Sequence, residues 1–572
     1  MHYTALDTTK NEIRLLHLAP SSNRRKKVAC HFSIVSLNAR EQFTHYEALS
    51  YAWGVPVFDR SIDLEGANFP ITANLHLALR ALRYADRERI LWIDAVCIDQ
   101  TNVKERSHQV SRMNDIYSRA SNVVVWLGEP RTDAAFAFDF LTEFGHCRTE
   151  RPPLLQTERN AEQTAMSVRS FMTRSWWTRI WTAQEWILAN SSTFQSGQYL
   201  LKGEVLLRCL EHCRRHVKSA DCCYMELKSD FLFNLEDSLQ PMFALHSVRR
   251  SYAGEDFSYS LGFLRMRQAT DPRDKVYGVL ALAANRYAGL LRVDYDLSVE
   301  EAYEQLTVAL IKRTGHLDIL SHVAPNQLQN LDVPSFVPDW TIELGKEYST
   351  DWTERFRNRH KYNACLNHVA DFTVAPRTLH IKGVLVDTIA TMATRRLGSY
   401  LKTRSYRNEL LDEMFKIAKP IEEGYYHGQR QTRKEAFWLT MCGGLEESSD
   451  RATPISERRL THFQIFQSWE HWFRGPRTSY QTSDLQLRTV TDRVSSVSKG
   501  RTFFITEQGR MGWAPKNSMP GDVIAVLTGG RVPIVLRPNQ GCYAVVGDAY
   551  VHGVMDGEAM VEADDLEYLE LH

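Results

Sequence analysis

The stretch LWIDAVCIDQTNVKERSHQVSRMNDIYSRASNVVVWL, residues 91–127, decides the fold. Residues 90–93 and 122–127 are short apolar runs without polar alternation, which is typical of strands buried on both faces. Between them, apolar side chains recur at helical spacing, namely at Val110, Met113, Ile116, Tyr117 and Ala120. The pattern predicts a strand, a long amphipathic helix and a second strand, the βαβ unit from which parallel sheets with flanking helices are built.

Polar side chains follow the first of these strands. Ligands of open α/β sheets bind beyond the carboxyl ends of the parallel strands, and the sequence places Asp94, Asp99 and Gln100 there. Asp99 and Gln100 fit two roles equally well, because they could bind a ligand or cap the following helix. Cys97 lies in the same place, but the sequence sets no histidine beside it as a base, and a cysteine next to a buried strand is usually inert packing.

A second polar strand end is predicted earlier in the chain. YEALSYAWG, residues 46–54, has the pattern of a strand that ends in a turn at Gly54, which would put Ser50, Tyr51 and Trp53 near the strand terminus. A helix is expected after Thr72, whose hydroxyl can cap it. The apolar stripe of that helix would consist of Leu75, Ala78, Leu79 and Leu82.

Residues 168–190 predict a further helix that carries an acidic residue on an apolar face. Trp177, Trp181, Glu185 and Leu188 share that face by their spacing. A buried carboxylate costs free energy unless it is paired, shifted in pKa or in contact with a ligand. Two interpretations follow: Arg174, three turns earlier, could neutralise Glu185 in a structural pair, or Glu185 could belong to an active site.

The totals exclude several classes of protein. Lys+Arg and Asp+Glu number 69 each, so no net charge attracts nucleic acid or an anionic membrane. No signal peptide and no apolar run long enough for a membrane span are visible, and the ten cysteines lack disulfide-scaffold spacing. The cysteines and histidines of residues 209–223 lack the paired spacing of zinc sites, so we expect no metal there. We predict a cytoplasmic protein without bound nucleic acid or a membrane span.

A chain of 572 residues is too long for one core, so several domains are expected. The predicted fold class is α/β: an N-terminal parallel sheet flanked by helices, a helical middle region and a β-rich C-terminal domain. Short strands between Gly- and Pro-containing turns suggest a small sheet or barrel in the last part. The predicted boundaries are a leading segment over residues 1–40, an α/β domain over 41–215 with its core motifs at 46–190, a mainly helical region over 216–345, and a C-terminal region over 346–572 with a β-rich subdomain at about 500–560.

Three motifs carry a resemblance to a known family. YEALSYAWG at 46–54, the stretch extended to Gly128, and RSWWTRIWTAQE at 174–185 together closely resemble the fungal heterokaryon-incompatibility (HET) domain, in order and in spacing. DPRDKVYGVLALA at 271–283 and the segment from Arg501 onward are similar to regions that often follow that domain. The resemblance implies a role in non-self recognition after cell fusion, with growth arrest or cell death as the outcome, and a protein partner or self-association.

HET domains have been related to the Toll/interleukin-receptor-like (TIR) fold, several members of which cleave NAD between nicotinamide and ribose. The reaction resembles glycoside hydrolysis, and its leaving group is already cationic and needs no acid. On this mapping Glu185 takes the catalytic position, and NAD is a substrate, with no cofactor required. The residues that would bind it are Ser50, Tyr51, Trp53, Asp94, Asp99, Gln100 and Trp181. The rival interpretation is a non-catalytic assembly module in which the aromatic residues anchor an interface.

Overall fold

The computed structural model describes most of the chain, in ranges separated by gaps. These are residues 3–23, 25–38, 45–131, 134–146, 158–218, 229–251, 257–283, 287, 289–324, 331–342, 355, 358–397, 403–420, 426–427, 431–444, 455–475, 485–562 and 565–572. The chain divides into two compact units, Met1–Leu297 and Ser298–His572. No helix in these ranges is long and apolar enough to cross a membrane.

The first unit is built on a nine-stranded mixed sheet in the order β5-β4-β2-β1-β6-β3-β7-β8-β9. Its strands are Glu12–Leu18 (β1), Ala29–Ser36 (β2), Glu47–Tyr51 (β3), Arg60–Leu64 (β4), Ala67–Ile71 (β5), Arg89–Trp92 (β6), Asn122–Trp126 (β7), Ser192–Ser196 (β8) and Tyr199–Lys202 (β9). The central run β6-β3-β7-β8 is parallel, as the apolar strand pattern predicts, and β1 and β9 flank it in antiparallel pairings. The leading segment therefore contributes β1 and β2 to the same sheet.

Helices complete the first unit. They are Ala73–Leu82 (α1), Asp94–Cys97 (α2), Val103–Ser111 (α3), Met113–Arg119 (α4), Ala134–His146 (α5), Glu158–Met172 (α6), Trp181–Ile187 (α7), Gly203–Lys218 (α8), Ser229–Ser251 (α9), Phe257–Leu264 (α10) and Asp274–Leu280 (α11), with 3-10 helices at Thr8–Lys10 and Ser175–Thr178. The expected start of α1 is confirmed, because the Thr72 hydroxyl accepts a hydrogen bond from the Leu75 N–H at 3.4 Å. Its buried stripe is also the predicted one.

The single long helix predicted between β6 and β7 was wrong, because three helices, α2, α3 and α4, stand there. Polar side chains in this loop bond to nearby backbone groups and so compete with a continuous helix. Gln100 Nε2 donates to the main-chain oxygen of Asp94 at 3.0 Å, and the Asn102 side chain caps α3 by accepting from the Glu105 N–H at 3.1 Å. The expected apolar face is retained, since α4 buries Met113, Ile116 and Tyr117.

The continuous helix predicted over residues 168–190 was also wrong. A 3-10 helix separates α6 from α7, because backbone groups at the break pair with another segment of the chain. The Ile180 N–H donates to the Gln268 oxygen at 2.9 Å, and the Gln268 N–H donates to the Thr178 oxygen at 2.6 Å. Consequently Trp177 does not share a helix with Glu185.

The second unit contains the predicted β-rich domain. Its strands are Phe372–Ala375 (β10), Thr378–Met392 (β11), Arg501–Thr506 (β12), Met511–Pro515 (β13), Val523–Leu527 (β14), Ile534–Asn539 (β15), Cys542–Asp548 (β16), Tyr550–Val551 (β17) and Glu567–Leu571 (β18). The pairings β11–β14–β15–β16–β18–β11 close a ring of five strands. The barrel suggested by the turn spacing is therefore present.

The helices of the second unit precede or interrupt these strands. They are Val299–Thr314 (α12), Arg404–Ala418 (α13), Arg433–Cys442 (α14), Ile455–Arg474 (α15), Leu485–Ser498 (α16) and Glu558–Glu562 (α17), with a 3-10 helix at Asp318–His322. Side chains of α13 to α16 form one hydrophobic core with residues of β12 and β13.

Candidate functional site

Parallel pairing brings the polar strand ends together. β3 lies between β6 and β7 and is parallel to both, so the carboxyl end of β3 adjoins the residue that follows β6. The helix α7 packs on β3 and β7 and carries Glu185 to this edge. The resulting group of side chains, called here the carboxyl-edge cluster, consists of Ser50, Tyr51, Trp53, Asp94, Trp176, Arg179 and Glu185.

Glu185 is the most buried acid of the cluster, with 4% of its surface exposed. The Ser50 hydroxyl donates a hydrogen bond to its carboxylate, and Ser50 in turn accepts from the Trp176 indole N–H at 2.7 Å. The predicted structural partner is elsewhere, because Arg174 Nη1 donates to the main-chain oxygen of Leu127 at 2.7 Å. The acid therefore accepts a hydrogen bond from a hydroxyl that an indole holds in turn, and the arginine that the helical spacing suggested bonds elsewhere.

Burial raises the pKa of Glu185 to about 8, and the negative charge of Asp94 acts in the same direction. The hydrogen bond from Ser50, the charge of Arg179 and the hydroxyl of Tyr117 lower the pKa but do not cancel the effect of burial. At neutral pH most Glu185 side chains are therefore protonated. A strongly perturbed carboxyl group at the end of parallel strands has the character of a functional residue.

Asp94 stands at the solvent side of the same cluster and is half-buried. Its Oδ2 accepts from the Trp53 indole N–H at 2.9 Å, and burial raises the pKa of Asp94 while Arg179 lowers it. The Arg179 guanidinium carbon lies 6.0 Å from the centre of the Trp53 ring, and Arg179 Nη1 donates to the main-chain oxygen of Tyr51 at 3.1 Å. Two carboxyl groups, one guanidinium and two indoles, those of Trp53 and Trp176, thus share this edge.

The remaining predicted binding residues have other contacts. Asp99 Oδ1 accepts from the Thr101 N–H at 3.1 Å, and the α3 cap is Asn102, so the helix-cap interpretation of Asp99 was wrong. The Trp181 indole donates to Asp274 on α11 at 2.9 Å. The structure therefore gathers Ser50, Tyr51, Trp53, Asp94 and Glu185, while Asp99 and Gln100 shape the adjoining loop and Trp181 links two helices.

Two residues that the sequence did not reveal hold this loop in place. Arg14 Nη1 bonds to Glu105 Oε1 at 2.5 Å and to the Cys97 main-chain oxygen at 3.0 Å, and Glu105 accepts from the Asp99 N–H at 2.8 Å. Arg14 and Glu105 are 91 residues apart, so no local pattern could pair them. Trp176 and Arg179 were likewise missed, since the single-helix prediction placed other side chains on the buried face.

The structure also shows the surroundings of Cys97 and of part of the cysteine and histidine cluster at residues 209–223. Burial raises the pKa of the Cys97 thiol to about 12, which disfavours the thiolate that a nucleophile requires. Cys209 Sγ donates to the Leu141 oxygen at 2.7 Å, and His212 Nδ1 lies 3.0 Å from the Phe144 oxygen. These side chains join α8 to α5. Residues 222–223 of the same cysteine cluster lie outside the described ranges.

Comparisons with known proteins agree with this architecture. The family model "Heterokaryon incompatibility protein (HET)" matches residues 46–185, and the "Het-6 beta-barrel domain" model matches residues 487–569. The chain is 26% identical to "Heterokaryon incompatibility protein 6, OR allele" of Neurospora crassa over an alignment of 665 residues that covers 97% of this chain and 95% of the relative. No solved structure matches the chain. Residues 46–185 in the first unit therefore match the heterokaryon-incompatibility (HET) domain, and residues 487–569 in the second unit match the Het-6 β-barrel domain.

Proposed function

We propose that this protein acts in fungal non-self recognition, as an effector that causes growth arrest or cell death after incompatible cell fusion. The proposal is supported by the two family matches and by the name of the Neurospora relative, whose alignment covers 97% of this chain. We place this action in the cytoplasm, with a protein partner or a second copy of the chain as the trigger.

The proposed activity of the first unit is hydrolysis of the bond between nicotinamide and ribose in NAD. One observation carries this proposal: the buried Glu185 carboxyl, whose pKa burial raises to about 8, at the carboxyl end of parallel strands and bonded to Ser50. Cleavage develops positive charge on the ribose, and an adjacent carboxylate stabilises it. Because nicotinamide leaves as a neutral molecule from a cationic ring, the leaving group requires no proton.

The charge of the substrate is what would activate Glu185. The resting acid is mostly neutral, since its burial outweighs the influence of Arg179. A cationic nicotinamide ring placed nearby favours the ionised carboxylate and so lowers its pKa. Trp53 and Asp94 lie at the more exposed side of the cluster and would meet the substrate first. Since only 4% of Glu185 is exposed, catalysis requires the cluster to open when NAD binds.

The test follows NAD loss and nicotinamide release with the purified full chain. We expect Glu185→Gln to slow NAD loss by at least about 100-fold, the usual cost of removing a group that stabilises transition-state charge. The matched control is Glu129→Gln, an exposed acid near the same sheet edge, which should retain the wild-type rate. Equal rates for wild type and Glu185→Gln would exclude Glu185 from the reaction.

A non-catalytic assembly module is the second candidate, and a separate observation favours it. The loop after Trp53 exposes three apolar side chains, with Val55, Val57 and Phe58 exposed by 75%, 56% and 58%. Neighbouring exposed apolar residues commonly mark protein contacts. If assembly is the function, replacing all three by serine abolishes growth arrest in fungal cells, whereas Glu185→Gln does not. If NAD hydrolysis is the function, Glu185→Gln abolishes growth arrest.

A further inference from the structure

Three side chains with metal-binding groups meet at the end of the first sheet opposite Asp94. His17 on β1 lies directly across from His31 on β2, and their rings stack with centroids 4.5 Å apart. Glu88 stands immediately before β6, which pairs with the other side of β1. Among the described residues, these three form a group whose ligand atoms all lie within 4.8 Å of one another.

The carboxylate faces both imidazoles. Glu88 Oε2 lies 2.8 Å from His17 Nδ1, and Glu88 Oε1 lies 3.8 Å from His31 Nδ1. Ligand atoms around one zinc ion, with bonds of about 2.0–2.2 Å, stand about 3–4 Å apart. Small side-chain rotations therefore suffice to place all three groups around one ion.

The orientation of His17 is set by a further hydrogen bond, since its Nε2 lies 2.8 Å from the hydroxyl of Ser33. A histidine that binds a metal through one ring nitrogen usually donates its other N–H to a nearby acceptor, which fixes the tautomer and the ring plane. Ser33 can serve as that acceptor. In the metal-bound state Nε2–H of His17 would donate to Ser33, and Nδ1, which faces Glu88, would lose its proton and bind the ion.

The two arginines that flank Glu88 in sequence contact other groups. Arg87 and Arg89 flank Glu88 in sequence, but both guanidinium groups lie over the Tyr84 ring, at 4.6 and 4.9 Å from its centre. Arg89 is also bonded to Glu47 at 2.5 Å. The carboxylate of Glu88 therefore faces the two histidines without a competing arginine from its own segment.

We propose that His17, His31 and Glu88 form a binding site for one divalent transition-metal ion, with Zn²⁺ as the favoured ion. Two imidazole nitrogens and one carboxylate oxygen are a donor set that zinc accepts, and water completes the coordination. The ion would tie the β1–β2 hairpin to the start of β6, the strand whose other end leads to Asp94. The side chains are accessible, since His31 is 54% and Glu88 39% exposed.

The test uses the full chain, stripped of metal with EDTA and titrated with ZnCl2 by calorimetry, and with CoCl2 while visible absorption is recorded. We expect one zinc ion to bind per chain at this site. We also expect visible absorption bands typical of Co²⁺ with a low coordination number. His31→Ala should weaken this binding by at least about tenfold and abolish the Co²⁺ bands, and Ser33→Ala should weaken it by about tenfold, the usual effect of removing an orienting partner.

The matched control is His368→Ala, which removes an exposed histidine of the second unit and should leave binding unchanged. Thermal unfolding gives a second measurement, because Zn²⁺ should raise the melting temperature of the wild type and of His368→Ala but not of His31→Ala. The proposal is overturned if His31→Ala and wild type bind zinc with equal stoichiometry and affinity. It is also overturned if the wild type binds zinc only through its cysteines, so that thiol alkylation removes all binding.

Discussion

Glu185 sits in surroundings that favour its neutral form. Its carboxyl group is buried and accepts a hydrogen bond from Ser50, and the second acid of the cluster, Asp94, opposes a second negative charge. Burial of an ionised carboxylate without a close cation is costly, so the folded protein retains a proton that the unfolded chain releases. This difference in proton binding is measurable as a dependence of stability on pH.

We predict that the wild type loses stability as pH rises and that Glu185→Gln does not show this loss. The folded pKa is about 8 and the ordinary value is 4.5, so between these values the native state binds the extra proton. The free energy of unfolding therefore falls as pH rises through this window, by up to about 1.4 kcal/mol per pH unit. Below about pH 5 the two proteins should be equally stable, and above pH 8 the variant should be more stable by a few kcal/mol. Urea unfolding at several pH values measures this.

Glutamine suits this comparison because its amide oxygen can still accept the hydrogen bond from Ser50. The control is Glu129→Gln, whose exposed side chain should leave the pH profile of the wild type unchanged. Parallel stability profiles for Glu185→Gln and wild type from pH 5 to pH 8.5 would contradict the prediction, since they would show that Glu185 titrates normally in the folded protein.

At the scale of elements, α5 and α8 approach each other closely at Gly145. A Cβ atom added there would lie 2.5 Å from the Val205 main-chain oxygen and 2.7 Å from Val205 Cγ1. Backbone cannot move aside as a flexible side chain can, so a larger residue must push the two helices apart. The two helices can therefore pack this closely only because residue 145 has no side chain.

We predict that Gly145→Ala destabilises the protein by about 1–2 kcal/mol. Overpacking costs about 1–3 kcal/mol. Alanine has a higher helix propensity than glycine, by at most about 1 kcal/mol, but only part of this gain applies because Gly145 is next to the last residue of α5. The midpoint of urea unfolding should fall. Glu143→Ala, an exposed site on the same helix, should show no loss of stability. A Gly145→Ala protein as stable as wild type would show that α8 can shift without cost.

The sequence predicted the elements whose signals are local. β6 and β7 are mostly apolar runs because parallel strands are buried on both faces, and α1 has both a side-chain cap and a buried apolar stripe. β13 lacks such a local signal, because Gly512 and Pro515 argue against a strand. Its glycine is required there, since a Cβ at Gly512 would collide with the Tyr550 main-chain oxygen.

The candidate site was predicted only in part, because most of its contacts join distant residues. The strand pattern placed Ser50 and Asp94 at strand ends, which adjoin in the parallel sheet, whereas Glu185 lies on a helix and was grouped with them only through the family resemblance. The bond from Trp176 to Ser50 spans 126 residues, and it exists because pairing with Gln268 interrupts the helix. The His17, His31 and Glu88 group follows from strand register and has no spacing signal in the sequence.

At the scale of the whole molecule, the first folding unit is longer than the HET family match. The match ends at residue 185, whereas the compact unit extends to Leu297. Later residues hold α7 in place: Arg249 donates to the main-chain oxygens of Trp186 and Ala189, each at 3.0 Å. Arg267 donates to the Arg179 oxygen at 2.8 Å.

We therefore predict that a fragment of residues 1–297 folds cooperatively, whereas a fragment of residues 1–215 does not. The shorter fragment lacks Arg249, Arg267 and Asp274, which form hydrogen bonds with α7 and with the residues just before and after it. Each buried carbonyl group left without a donor costs about 1–3 kcal/mol. The sum of these costs is a large part of the free energy of unfolding of a typical domain. Circular dichroism during thermal unfolding and limited proteolysis distinguish the fragments. Equal melting temperatures and equal protease resistance would show that the module ends before α9.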